Sequence, residues 1–329
     1  MSNKILITGA GGAVGSVSDL IIKNLVAKGH DVRAFMRPTN KKDTEIEALG
    51  AEVIKGDLLN LHDVAKALEG VDIVYFSMSL SPYYSDAYII LMEACRKQGK
   101  IKALINLSEY EQSFMGYDVM VQDPAARTRY IGGGVSDWSP QQRAHWVSER
   151  ALEWSGLPHV NIHASVFVEN PIFSWFSLGT VAQKHVFEAP FKEEKIAIIT
   201  AYDLAEAVAN IINNVEGHIG KSYTLTGDEL IDMAGLAQIY SEIFGFDVQH
   251  RYIDKDEWAE KYLGILREQN QLHTEAHLKN LLKLLTSPKY NGHITRDLEK
   301  LLGHKPKGIQ YSLEHLPRIT EIKQQLTKL

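Results

Sequence analysis

Glycines at positions 9, 12 and 15 stand directly behind the apolar run Ile5-Leu6-Ile7 and ahead of an amphipathic stretch from Val14 to Lys28. That spacing suits the binding of a phosphate. Gly9 permits a sharp turn, Gly12 lets the backbone approach a pyrophosphate, and Gly15 lets the following helix pack on its strand. The residues around and between them, Thr8, Gly11, Ala13 and Val14, belong to the same nucleotide cradle, in which free N–H groups and the positive helix end hold the anion. An ordinary glycine-rich strand–helix turn would show glycines too, but here the pattern both closes a strand and opens a helix.

A second set of residues could do proton or hydride chemistry. Gln141, His145 and Glu149 recur every four residues, so they stack on one face of a helix. They form either part of a site or a surface helix pair. His159, Asn161 and His163 alternate along an apolar run, but the single cysteine, the lack of His-Glu-x-x-His and the lack of a carboxylate at matching spacing argue against a metal.

The elements that must position these groups are strands and helices in alternation. Strands are expected at Asp31 to Met36, Glu52 to Lys55, Val71 to Ser77, Ala103 to Leu107 and His159 to Ala164, with helices between them, which defines a parallel sheet with right-handed crossovers. The fold class is α/β, a Rossmann-type doubly wound parallel sheet with a smaller α+β C-terminal lobe. The end of the second strand selects the cofactor: an acid there would bind a ribose hydroxyl, whereas Arg37 suits a 2'-phosphate, which favours NADP(H) over NAD(H). Asp57 and Leu58, just past the third strand, are placed to reach the adenine, or Asp57 is a helix N-terminal acid. Ser77 and Ser108 close the fourth and fifth strands on the same rim.

From Glu109 to Trp138 no period survives, and Phe114, Met115, Tyr117, Tyr130 and Gly132-Gly133-Gly134 suit a lid. The next helix is announced by Ser139 as N-cap, Pro140 at the first position and Gln142 at the third, with Ala144, Val147, Ala151 and Trp154 as its expected apolar stripe toward the sheet and Gly156 as its stop. Phe167, Phe173, Trp175 and Phe176 form an aromatic cluster that either walls a pocket for a flat acceptor or packs between domains. A short strand is expected at Ile196 to Thr200, and from Leu266 to Leu285 leucines recur at helical spacing, a core or lid helix.

The run Thr8-Gly9-x-x-Gly12-x-x-Gly15, Arg37, Gly56-Asp57, His145-Trp146-x-x-Glu149, Ser155-Gly156-Leu157-Pro158 and Phe167-x-Glu169-Asn170 resembles the NmrA-like family of atypical short-chain dehydrogenases. The resemblance implies an NADP(H)-binding Rossmann domain with a smaller C-terminal domain. It also implies one of two uses: an NADPH-dependent reductase of quinones, dyes or similar acceptors, or a redox-sensing regulator of a partner protein. Anchored on Gly156, the Tyr-x-x-x-Lys pair of ordinary short-chain dehydrogenases falls on Gln141 and His145. Gln141 cannot act as the tyrosine acid, while His145 could keep the ribose contact and is the candidate catalytic residue. Hydride transfer needs no protein acid when the acceptor takes its proton from solvent, which favours a quinone over a carbonyl.

The expected division is a nucleotide domain over 1–166 joined by 201–227, and a substrate or partner lobe over 167–200 and 228–329. The net charge of −6 opposes nucleic-acid binding, although residues 277–329 carry ten Lys and Arg against four Asp and Glu. One cysteine, Cys95, excludes an intramolecular disulfide, and neither a signal peptide nor a membrane span is legible, so a cytoplasmic location and no membrane partner are expected.

Overall fold

The computed structural model describes residues 3–12, 17–121, 138–287, 290 and 292–326. Consecutive apolar residues in the first strand explain the layering. In β1 (Lys4–Thr8) the side chains of Ile5, Leu6 and Ile7 are all fully buried, Ile5 and Ile7 in one core and Leu6 in another. A strand whose two faces are both apolar must be covered on both sides, and helices supply the cover.

Six further strands join β1: β2 (Asp31–Met36), β3 (Glu52–Lys55), β4 (Ile73–Phe76), β5 (Ala103–Glu109), β6 (His159–Ala164) and β8 (Ser222–Leu225). They run parallel in the order β3-β2-β1-β4-β5-β6-β8. The chain reverses its direction of travel between β1 and β4, so the crevice beyond their carboxyl ends is where such a sheet binds ligands. Helices Val17–Ala27 and Ala201–Asn213 cover one face, joined there by Leu298 and Leu302 of Asp297–Leu302, while Leu61–Ala67 and Tyr84–Gln98 cover the other. A separate apolar core gathers Phe173, Phe187, Tyr240, Trp258 and Leu285 around the two-stranded parallel sheet of β7 (Val186–Ala189) and β9 (Gln249–Tyr252).

Several expectations need revision. β5 continues through Ser108 and Glu109, with Glu109 in register with Ala164 of β6. The patternless stretch begins with a 3-10 turn, Tyr110–Phe114, and a short helix, Tyr117–Met120; Phe114 and Met115 are buried in the second core. The rest of the expected lid, with Tyr130 and Gly132 to Gly134, lies outside the described residues. Residues 196–200 make only isolated bridges, Ile199 with Phe167 and Ile196 with Ile231. The leucine-rich stretch is divided between helices Lys255–Glu268 and Leu272–Leu285 by Asn270, whose φ of 57° is one that asparagine tolerates better than most residues.

The clearest correction concerns helix Pro140–Ser155. Its capping box and proline are as expected. Its inward face is only half as expected: Ala144 and Ala151 pack toward the sheet, but Val147 and Trp154 are exposed, Trp154 at 81%, while Gln141, Gln142, His145, Ser148 and Glu149 are buried beside Leu152. Apolar periodicity marks the inner face only where the neighbours are apolar. Here the neighbours are polar groups at the strand ends and on a second helix.

Candidate active site

At the carboxyl edge of the sheet a cleft of about 700 Å³ runs from Gly9, Gly12 and Ser77 past Ser108 and His145 to Phe167, Trp175, Phe176 and Leu266. Gly9 adopts φ +75°, and a Cβ there would lie 2.8 Å from the Ser77 carbonyl oxygen, so this turn accepts only glycine without rearrangement. Thr8 is fully buried and faces β4 instead of the cleft. Its hydroxyl donates to the Ser77 carbonyl (2.8 Å) and accepts from the Ser77 N–H (3.0 Å), clamping the two strand ends together. Thr8 therefore shapes the cradle through a strand contact.

The Gly11 N–H donates to Asp19 Oδ1 of the first helix (2.8 Å). Ala13, Val14 and Gly15 lie outside the described residues. Arg37 stands exposed past β2, and two residues the sequence reading passed over approach the turn beside it. Asn40 Nδ2 donates to the carbonyls of Ala10 and Gly11 (3.4 and 3.3 Å), and Lys42 Nζ donates to the Gly12 carbonyl (3.2 Å). The run Arg37-Pro-Thr-Asn-Lys-Lys42 was the available signal. Asp43, the first acid after β2, is paired with Lys55. Asp57 and Leu58 do not line the cleft: Asp57 Oδ1 caps its own turn through Leu59 N–H, Leu58 packs against the sheet-side core, and the following helix is capped by Asn60.

Farther along the cleft the buried polar groups fix one another's orientation. The Ser81 backbone N–H donates to Gln141 Oε1 (3.3 Å), which settles which end of that amide is oxygen. Gln141 Nε2 then donates to His145 Nε2 (3.1 Å), so the proton of a neutral His145 sits on Nδ1 and points to Ser108 Oγ (3.1 Å). Ser108 in turn supports Glu149, whose two oxygens are 3.2 Å from His163 Nε2. Burial pulls the His145 imidazole down to about 4, so it is neutral near pH 7. Burial opposes ionisation of Glu149, but the bond and charge of His163 outweigh it and hold that carboxyl below its usual range. Tyr84 packs its ring 4.3 Å from the His145 ring.

Helix Leu272–Leu285 closes this side. His273 Nε2 is 2.8 Å from Gln141 Oε1, Asn280 bonds Gln142 Oε1, and His277 lies with Nδ1 3.3 Å from Ser139 Oγ. His145 is thus brought to the cleft, but both ring nitrogens are engaged and no imidazolium proton is available at neutral pH. Of the aromatic cluster, Phe173 packs in the second core while Phe167, Trp175 and Phe176 line the cleft. Three of the four thus take the pocket-wall arrangement, and Phe173 lies inside the core around β7 and β9.

A doubly wound parallel sheet with a glycine turn at its switch point defines a dinucleotide-binding protein. The chain belongs to the NAD(P)H-binding family, whose model matches residues 12–214. It is similar to an NAD(P)H azoreductase of Xenophilus azovorans, 23% identical over 91% of this chain and 93% of that protein. Among solved structures it resembles an NADPH-dependent quinone oxidoreductase of Escherichia coli complexed with NADPH (TM-score 0.72, 21% identity, 94% and 99% of the two chains). It resembles equally a nucleoside-diphosphate-sugar epimerase of Staphylococcus aureus (TM-score 0.72, 20% identity, 96% and 100%). At such identities the structural likeness fixes the fold alone. No helix among the described residues is long and apolar enough to cross a membrane.

Proposed function

We propose that this chain is an NmrA-like NADPH-dependent reductase that transfers hydride to a small planar or conjugated acceptor, a quinone or an azo compound. One observation carries the reading: a single cleft joins the glycine turn to an aromatic wall, and at the position of the usual tyrosine acid it holds Gln141. The azoreductase relative, matched over nearly its whole length, supports the acceptor class.

The residues present fit the dinucleotide. Gly9 and Gly12 line the cleft, Gly9 with a backbone that only glycine adopts without rearrangement, and Arg37 and Lys42 offer two cations to a 2'-phosphate, Asp43 beside them being paired with Lys55. NADPH, when bound, supplies the hydride. Ser108 and His145 would position the reacting end by hydrogen bonds whose direction Gln141 fixes. Phe167, Trp175, Phe176 and Leu266 would hold a flat acceptor and keep water from it.

Anaerobic NADPH oxidation against quinones, azo dyes, imines and enones tests the reading, with Gly12→Glu as the control that blocks the cradle. Turnover by the native chain that is absent from Gly12→Glu is the expected result. Tight NADPH binding without turnover of any acceptor would defeat it and leave the partner-regulating reading.

A further inference from the structure

Glu109 was not marked by any sequence signal, and in the structure it lines the cleft as the last residue of β5. Its Oε1 is 3.5 Å from His277 Nε2 and 3.7 Å from His145 Nε2, while Oε2 is shut away from water with no hydrogen-bond partner among the described residues. No Lys or Arg pairs with it among those residues. The groups that face it are Glu111 on the adjoining turn, Tyr84, His145 and Glu149 on the covering helices, His277 on the lobe helix, and Tyr290. None of them brings a positive charge. His145 is neutral, and burial lowers His277 to about 3, helped by the neighbouring imidazoles. Ser139 Oγ accepts from the Gln142 N–H (3.2 Å) and from His277 Nδ1–H (3.3 Å), which leaves His277 Nε2 as an acceptor facing a proton on Glu109 Oε1 (3.5 Å).

A carboxylate in this place would have, among the described residues, one buried oxygen without a donor and no cation to balance it. The carboxyl therefore keeps its proton. Burial, and then the charge of Glu111 and a side-chain hydrogen bond with it, push Glu109 well above the usual carboxylate range. The side chain is still 19% exposed, enough to meet a molecule in the cleft.

We propose that Glu109 is the catalytic proton donor of this cleft, filling the office of the missing tyrosine. The inference rests on the reductase reading above. For an azo acceptor the balance is complete: hydride adds with its electron pair to one nitrogen, the N=N π bond breaks, and the Glu109 O–H proton passes to the other nitrogen. The product is a hydrazo compound, the nicotinamide is oxidised by two electrons, and the Glu109 carboxylate regains a proton from water before the next turnover. His277 and Ser139 are positioning residues that orient the carboxyl.

The test uses the full chain and Glu109→Gln, which keeps shape but has no acidic proton. In the infrared spectrum of the ligand-free protein at pH 7, the carbonyl band of an un-ionised carboxyl should lose intensity in Glu109→Gln. NADPH affinity, measured by calorimetry, should change by less than about threefold. Turnover of an azo dye should fall by roughly 10²-fold or more, and the fall with a quinone should be at least about tenfold smaller, because its reduced oxygens can be protonated by water. The native rate should decline at alkaline pH as Glu109 ionises, and that limb should vanish in the variant. An unchanged carboxyl band, or azo turnover equal to the native rate, would overturn the assignment of Glu109 and leave the reductase reading intact. Failure of the native chain to reduce any acceptor would remove both.

Discussion

Gly9 combines a left-handed backbone with a 2.8 Å approach of any added Cβ to the Ser77 carbonyl. Gly9→Ala should therefore cost about 1–3 kcal/mol in urea unfolding and weaken NADPH binding at the same time. The turn at Gly9 was legible, since its residue type is demanded by the backbone itself; Gly15 lies outside the described residues. Lys42 was not, because a lysine in a basic loop has no periodicity and its aim at the Gly12 carbonyl depends on how β2 and β3 are arranged. Lys42→Glu should lower the preference for NADPH over NADH by roughly tenfold or more, the worth of one charged hydrogen bond. Equal cofactor ratios in binding measurements would remove Lys42 from the 2'-phosphate. Glu109 escaped notice because a carboxylate at a strand end is ordinary until the groups facing it are known.

Among the elements, helix Pro140–Ser155 shows where pattern reading stops. Its ends are local chemistry and could be read directly, whereas its inner face is set by neighbours distant in sequence: Ala144 and Ala151 of the expected stripe pack inward, Val147 and Trp154 point outward. The buried ionisable groups packed on such elements make stability depend on pH in opposing ways. His277, held at about 3 in the fold against 6.5 in the open chain, binds its proton more readily when unfolded, so its contribution is lost as pH falls below about 6.5. Glu169 ties the helix Gly308–Glu314 to the start of helix Ala201–Asn213 through Ser312 and the Ala201 N–H (3.0 Å). Burial raises it to about 7, so its contribution is present below about 4.5 and is lost as pH rises through 7. Thermal unfolding from pH 4 to 8 should show His277→Gln flattening the acid loss and Glu169→Gln flattening the loss toward neutral pH, each by a few kcal/mol. Parallel profiles for the variants and the native chain would contradict both assignments.

At the scale of the molecule, the cleft belongs to neither core alone. Sheet ends supply Gly9, Ser108 and Glu109, while helices Lys255–Glu268 and Leu272–Leu285 supply Leu266 and His277. Saturating NADPH should slow amide hydrogen exchange in the glycine turn and also in helix Leu272–Leu285, the first by direct contact and the second through the cover it provides. Slowing confined to the turn would mean that the lobe does not sense the cofactor. The alternation of strands and helices was legible across the sheet, and the leucine spacing announced a core or lid helix; Leu272–Leu285 is both, but the spacing did not name what its polar side touches. That cover has a consequence for the nascent chain. Gln141, Gln142 and Ser139 meet their partners His273, Asn280 and His277 across 132 to 138 residues, so on the ribosome helix Pro140–Ser155 waits for them during nearly half of synthesis. A waiting face of two amides and a hydroxyl is wetted rather than sticky. The same polar row that equips the cleft keeps the unfinished protein from clinging to its neighbours.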